Sequence, residues 1–142
     1  MALLEIIKVP DELLRKVSKP VERFDGRLHT LLDDMHETMQ KAHGAGLAAV
    51  QVGYLLRACL VDDMKGQVVE LINPTIIKAC NERKGAEGCL SVPGASVRVK
   101  RARDITVKAQ DRHGNWFEQR FTGIPAVCVQ HEMDHMEGVL IG

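Results

Sequence analysis

The sequence predicts an α+β protein built on mostly antiparallel sheet. Three observations carry this: an amphipathic helical stripe in the first third, short turn-linked apolar segments through the middle, and helical periodicity returning at the end. Helices gathered at the two ends of a run of strands pack onto a sheet rather than alternate with it, which sets this class apart from βαβ folds. Residues 10–16 are expected to make a short helical turn. Over 27–43, Leu28, Leu31, Leu32, Met35, Met39 and Ala42 recur at spacings of three, four and seven, one face of a helix that Gly44 is expected to end. Apolar and β-branched stretches bounded by turn residues place strands at 55–61, 68–72, 75–79, 96–101, 105–109 and 116–121. Asp111-Arg112-His113-Gly114-Asn115 joins the last two as a hairpin. A C-terminal helix follows Gly123, with Pro125 suited to its first turn and Gly138 placed to stop it.

The chain has 142 residues, enough to bury roughly 70% of its unfolded surface around one core, so one domain is expected over 1–142. Nineteen basic side chains balance nineteen acidic ones. That neutrality argues against bulk attraction to nucleic acid or to anionic membrane. The longest stretch free of Asp, Glu, Lys and Arg is the 15 residues of 42–56. This is short of the roughly 20 apolar residues of a membrane helix. The N-terminal run is broken by Glu5 and Lys8 and lacks a basic start, so it does not read as a secretion signal. The expected address is the cytoplasm, where Cys59, Cys80, Cys89 and Cys128 stay thiols. Cys59 and Cys128 sit in apolar runs and read as small core residues. Cys89, flanked by Gly88 and Leu90, reads as part of an irregular segment.

His131-Glu132-Met133-Asp134-His135 is H-E-x-x-H on the predicted terminal helix. Residues four apart share a helix face, so both imidazoles can reach one metal ion. Glu132 projects about 100° away from His131, leaving its carboxylate beside the ion, where it can move protons for a metal-activated water. A catalytic site usually has three protein ligands and an open position. Cys89 in Glu87-Gly88-Cys89-Leu90-Ser91 offers the third donor, since a glycine-flanked thiolate can approach an ion closely. A thiolate and two imidazoles suit a transition metal rather than Mg2+ or Ca2+. Gly44-Ala45-Gly46-Leu47-Ala48-Ala49 fits G-x-G-x-x-A, but it leaves a helix for a strand, the reverse of a dinucleotide-binding turn. It reads instead as tight packing of small residues, or as a backbone edge open to a ligand with Gln51 supplying an amide donor.

Taken in order, Gly44-Ala45-Gly46-Leu47-Ala48-Ala49-Val50-Gln51, Glu87-Gly88-Cys89-Leu90-Ser91 and Gln130-His131-Glu132-Met133-Asp134-His135 resemble the three signature motifs of the peptide deformylase family, and the likeness covers essentially the whole chain. The resemblance implies a Cys89, His131, His135 metal centre, with Fe2+ expected and Zn2+, Ni2+ or Co2+ able to take the same donors. It implies removal of the N-formyl group from nascent peptides that begin with N-formylmethionine, releasing formate. Glu132 would carry the proton, and the Gln51 amide and Leu90 N–H would stabilise the oxyanion. Gly46 and Gly88 would hold an extended peptide, and Ala45, Ile124, Val127, Cys128 and the His131 ring would line a methionine pocket. Glu87 would pair with Arg101 to brace the Cys89 loop. Ala45 stands where members generally carry a larger aliphatic residue, implying a roomier or shallower pocket. The chain stops at Gly142, seven residues past His135, whereas many members continue into a C-terminal helix through which transient ribosome association would be made.

The remaining features read as structure. His29, His36 and His43 recur every seven residues, about 10.5 Å apart along a helix, too far to share an ion. Arg98, Lys100, Arg101 and Arg103 form the one dense basic run, expected to be a solvated sheet face. Two rival readings are a metallopeptidase cutting internal peptide bonds and a nucleic-acid-binding module using that basic run around a structural metal. Five aromatic residues in the chain weigh against the second.

Overall fold

Along one strand, successive residues face two different apolar cores, and that alternation organises the molecule. The structure, a computed structural model, describes residues 2–141. In β2 (Ala58–Asp62), Ala58 and Leu60 face one apolar cluster while Cys59 and Val61 face another, all four fully buried. A strand whose two faces are both covered needs an uninterrupted apolar run, which Ala58-Cys59-Leu60-Val61 supplies. The sheet is five-stranded and antiparallel throughout, in the order β1 (Gly46–Ala48), β2, β3 (Val68–Cys89), β4 (Val92–Gln110) and β5 (Trp116–Thr122).

Helix α1 (Gly26–Lys41) covers one face. Asp25 caps it, its side chain accepting from the N–H groups of Arg27 and Leu28. Leu28, Leu31, Leu32, Met35 and Met39 pack with Leu47, Ala49, Ala58, Leu60 and Ile72. Helix α2 (Ile124–Met136) lies against the other face, where Ala126, Val129 and Met136 meet Ala48, Cys59, Val61, Leu71, Ile105, Val107 and Phe121. Pro125 sits in its first turn. Gly138 closes it at φ 73°, and a Cβ there would collide with the Arg15 carbonyl oxygen, so only glycine fits.

The structure differs from the sequence expectation in how many strands there are. The stretches expected at 68–72 and 75–79 belong to one strand, β3, which continues through the polar residues 80–88 to Cys89. Those at 96–101 and 105–109 are likewise one strand, β4. Pairing overrides local composition: β3 and β4 run together from Ile72↔Gln110 to Cys89↔Val92, with register shifts near Asn73-Pro74, at Ile76/Lys78 and at Glu87/Cys89 that bend the ribbon. Pro74 is tolerated because it falls at the first shift. The short β1 lies outside the stretches that composition marks as strands. At the end of α1 the left-handed residue is His43 (φ 56°), not Gly44. Gly44 is needed for space, since a Cβ on it would lie 2.9 Å from Leu90 Cδ1.

Asn73 ties the segment before α1 to the sheet. At φ 51° its Oδ1 accepts from the Val21 N–H at 2.8 Å, and its Nδ2 donates to the Val21 carbonyl at 2.9 Å and to Gln110 Oε1 at 2.8 Å. Asn73→Gly keeps the backbone freedom and is expected to cost about 2 kcal/mol through groups left without partners. Asn73→Ala adds about 1 kcal/mol of left-handed strain. Urea unfolding of the two variants beside the parent measures both parts.

Candidate metal centre and cleft

Each of the three motifs reaches the site on a different element. The first forms β1 and the short 3-10 turn Ala49–Val52, the second is the end of β3 with the turn into β4, and the third is α2. Gln130 sets the seating of α2: its Oε1 accepts from the Ala102 N–H at 3.0 Å, and its Nε2 donates to the Ala102 carbonyl at 2.6 Å and to the Ala126 carbonyl at 3.0 Å. The next residue, His131, is thereby turned toward the end of β3.

Cys89 Sγ lies 3.3 Å from His135 Nε2, and His135 Nε2 lies 3.3 Å from His131 Nε2. All three donor atoms fall within 4.8 Å of one another. Tetrahedral coordination at ordinary metal–sulfur and metal–nitrogen distances puts donors about 3.3–3.6 Å apart, so the spacing fits a single ion. Three lone pairs aimed at one point also repel one another unless a cation or a shared proton lies between them.

The surroundings hold this cluster in place. His131 Nδ1 is 3.0 Å from Glu87 Oε1, which leaves Nε2 to face the cluster. Arg101 donates through Nε to Glu87 Oε2 at 2.9 Å and through Nη2 to Glu87 Oε1 at 3.1 Å, and its Nη1 pairs with Asp134. Burial by itself would push the Glu87 carboxyl up; the Arg101 guanidinium and the His131 ring outweigh it and hold the group below its usual range. Burial and the neighbouring His131 push His135 down to about 3, so its ring is neutral with a lone pair to offer.

Glu132 is 4% exposed, and its Oε1 has no hydrogen-bond partner among the described residues. Burial pushes its carboxyl up to about 7, against the pull of His131 and Arg101. Room for it comes from Gly46, where a Cβ would lie 2.6 Å from Glu132 Oε2. Gln51, 2% exposed, is fixed by the Ala48 N–H donating to its Oε1 at 2.9 Å. Its Nε2 points at Ser91 Oγ, 3.1 Å away, and at Cys89 Sγ, 3.7 Å away.

A cleft of about 560 Å³ opens above the cluster and is lined by Ala45, Gly46, Gln51, Gly88, Cys89, Leu90, Ile124, Val127, Cys128, His131 and Glu132. Every sequence-predicted site residue is therefore in this one place, with His135 buried beneath. Cys128 proves to be a half-buried cleft residue rather than a core one, its thiol pushed up to about 12 by burial and thus neutral. A larger groove of about 910 Å³ lies between α1 and residues 19–26, but among the described residues it holds no convergent metal donors. Sequence reading missed Asp134 as a partner of Arg101 and missed Arg103 in the cleft. Both placements depend on how β4 meets α2 and β3, which no local pattern announces. The basic run is not a solvated face throughout, since Arg101 is buried.

The sequence profile of the Polypeptide deformylase family matches residues 3–142. The chain belongs to that family. It is 49% identical over 140 residues to a peptide deformylase of Heliobacterium modesticaldum, covering 99% of this chain and 92% of that one. Among solved structures it resembles a peptide deformylase from Legionella pneumophila at a TM-score of 0.94 and 48% identity, over 98% of this chain and 83% of the other. A ligand-bound class I type b peptide deformylase from Acinetobacter baumannii matches at a TM-score of 0.95 and 35% identity, over 99% and 98%. Deformylases use a divalent metal, and Cys89, His131 and His135 make the candidate site for it in this chain. Membership favours neither a metallopeptidase of internal bonds nor a nucleic-acid module. No helix among the described residues is long and apolar enough to cross a membrane.

Replacing Arg101 by Met would leave Glu87, whose side chain is 7% exposed, without its cation. The expected loss is about 3 kcal/mol of stability, read from denaturant midpoints. Glu87→Gln in the same background should recover part of it, because the buried charge is then gone.

Proposed function

We infer that this chain removes the N-formyl group from nascent peptides beginning with N-formylmethionine, releasing formate and a free α-amine. The observation that carries the reading is the convergence of one sulfur and two imidazole nitrogens on the floor of a cleft, with a buried, unpartnered carboxylate oxygen on Glu132 beside them. Cys89 Sγ, His131 Nε2 and His135 Nε2 would hold one divalent transition metal, Fe2+ by family expectation, with Zn2+, Ni2+ or Co2+ suited to the same donors. Such an ion, when bound, acidifies water from a pKa of 15.7 toward roughly 7 and polarises a carbonyl.

The remaining steps belong to the chain's own groups. Glu132 takes the proton of the attacking water and later delivers it to the leaving amine; its burial keeps the carboxyl basic enough to do both. As the formyl carbon becomes tetrahedral its oxygen gains charge, and the Gln51 side-chain amide and the Leu90 N–H serve as donors to it. Losing one such donor typically costs about 3 kcal/mol of barrier. Gln51 is prepared for this because the Ala48 N–H fixes which end of its amide faces the cluster.

The peptide binds extended along Gly46 and Gly88. β1 lies at the edge of the sheet, so a substrate strand can add to its free side, and main-chain pairing suits an enzyme that meets many different sequences. The methionine side chain enters between Ala45, Ile124, Val127, Cys128 and the His131 ring. The place of action is the cytoplasm, where nascent chains emerge and thiols stay reduced. Residues 1–142 act as one catalytic domain, and any contact with the ribosome is transient.

Formate release from a formyl-Met tripeptide, with metal content measured on the same anaerobically purified protein, tests this reading. Glu132→Ala should keep its metal and lose at least about a hundredfold in kcat, whereas Cys89→Ala should lose both metal and turnover. Full activity in both variants would overturn the mechanism. Ala45→Ile should narrow the first-residue pocket, lowering kcat/KM for a bulkier phenylalanine at that position several-fold relative to methionine. An unchanged preference would remove Ala45 from the pocket.

A further inference from the structure

Arg103 lines the same cleft, on β4, and nothing in the mechanism uses it. Its side chain lies flat over β3: a Cβ built on Gly85 would fall 2.5 Å from Arg103 Nη2. Its Nε is buried and has no hydrogen-bond partner, and its side chain forms no ion pair with any described residue. The other arginines withdrawn from solvent are all paired, Arg57 with Glu137, Arg101 with Glu87 and Asp134, and Arg112 with Asp33 and Glu70. Glu87 is the carboxylate nearest along the strand, but its oxygens already receive three donors, two from Arg101 and one from His131. A half-buried guanidinium left uncompensated in a peptide-binding cleft is costly unless the ligand brings the missing acceptor.

We propose that Arg103 forms a subsite that selects an acidic side chain at the second or third residue of the substrate, counting the formylated methionine as the first. This rests on the deformylase reading. Gly85 is four residues before Cys89, roughly 13 Å along a strand, which an extended peptide starting at the cluster covers in about three to four residues. A Glu side chain on the residue before that closes the gap. The substrate main chain carries no charge away from its ends, so a side-chain carboxylate is the group that answers a fixed guanidinium.

The test uses metal-loaded protein and C-terminally amidated peptides formyl-Met-Xaa-Ala-Ser and formyl-Met-Ala-Xaa-Ser, with Xaa Glu, Gln or Lys, at low salt. In the parent, kcat/KM for Glu should exceed that for the isosteric Gln by about fivefold at one of the two positions, with Lys below Gln. Arg103→Gln should bring the Glu/Gln ratio close to one, and Arg103→Glu should favour Lys. Ratios within one enzyme cancel differences in active fraction or folding. Equal Glu/Gln ratios in the parent and both variants would overturn the subsite. Calorimetric binding of the corresponding deformylated peptides provides a second readout. Absence of formate from every peptide would sink the deformylase reading, while a Glu over Gln binding preference that vanishes in Arg103→Gln would still uphold Arg103, and its absence would refute it.

Discussion

Three lone-pair donors held within 4.8 Å of one another are the constraint around which the rest of this protein is arranged. Such a cluster is unfavourable in an apolar interior unless its members are fixed from outside, because each would otherwise swing toward water or toward a proton. The chain fixes them with two sets of contacts. Gln130 pins α2 to the backbone of Ala102, and the Arg101–Glu87 pair grips the far nitrogen of His131. Arg101 also pairs with Asp134, so one guanidinium joins the strand that carries the sulfur to the helix that carries the imidazoles.

This arrangement explains why α2 is so unlike α1. Helix α1 is a surface helix with one apolar stripe packed on the sheet, and its buried polar residues Asp34 and Thr38 accept from the N–H groups of Ala2 and Leu4 in the N-terminal segment. Helix α2 buries Ala126, Val129 and Met136 together with Glu132 and His135, so the sheet has to wrap it with polar as well as apolar partners. The long β3–β4 ribbon supplies both: Ile105 and Val107 for the core, then Arg101 and Glu87 further along, where the register shifts turn the ribbon over the helix. Gly46 completes the fit by being small. The carboxylate of Glu132 occupies the space a side chain there would fill, which links a glycine in the first motif to the general acid/base proposed from the third.

The same ribbon shows why composition misled in places. Residues 80–88 carry almost no apolar content and nonetheless form a strand, since their backbone groups pair with β4 and their side chains can face solvent on a ribbon covered on one side at most. Arg98, Lys100, Arg101 and Arg103 look alike in sequence, yet they meet three different fates: Arg98 and Lys100 are exposed, Arg101 is buried in an ion-pair bridge, and Arg103 lies across the cleft wall. Strand alternation alone would separate them into two pairs. What separates Arg101 from Arg103 is where α2 crosses the ribbon.

The amino-acid sequence by itself determined the helices, the strand-rich middle and the pairing of two candidate metal donors on one helix face, because periodicity, caps and the i, i+4 spacing of His131 and His135 are local and fixed by backbone geometry. It also carried the family likeness, from which Gln51, Cys89 and Glu132 could be grouped before any coordinates. Only the tertiary structure decided that six expected strands are four longer ones joined by a short β1, that Asp134 completes the Arg101 bridge, and that Arg103 faces the cleft without a partner. Those outcomes depend on which distant backbone groups pair and on where one helix crosses a bent ribbon, and contacts between residues tens of positions apart leave no periodic trace in the chain.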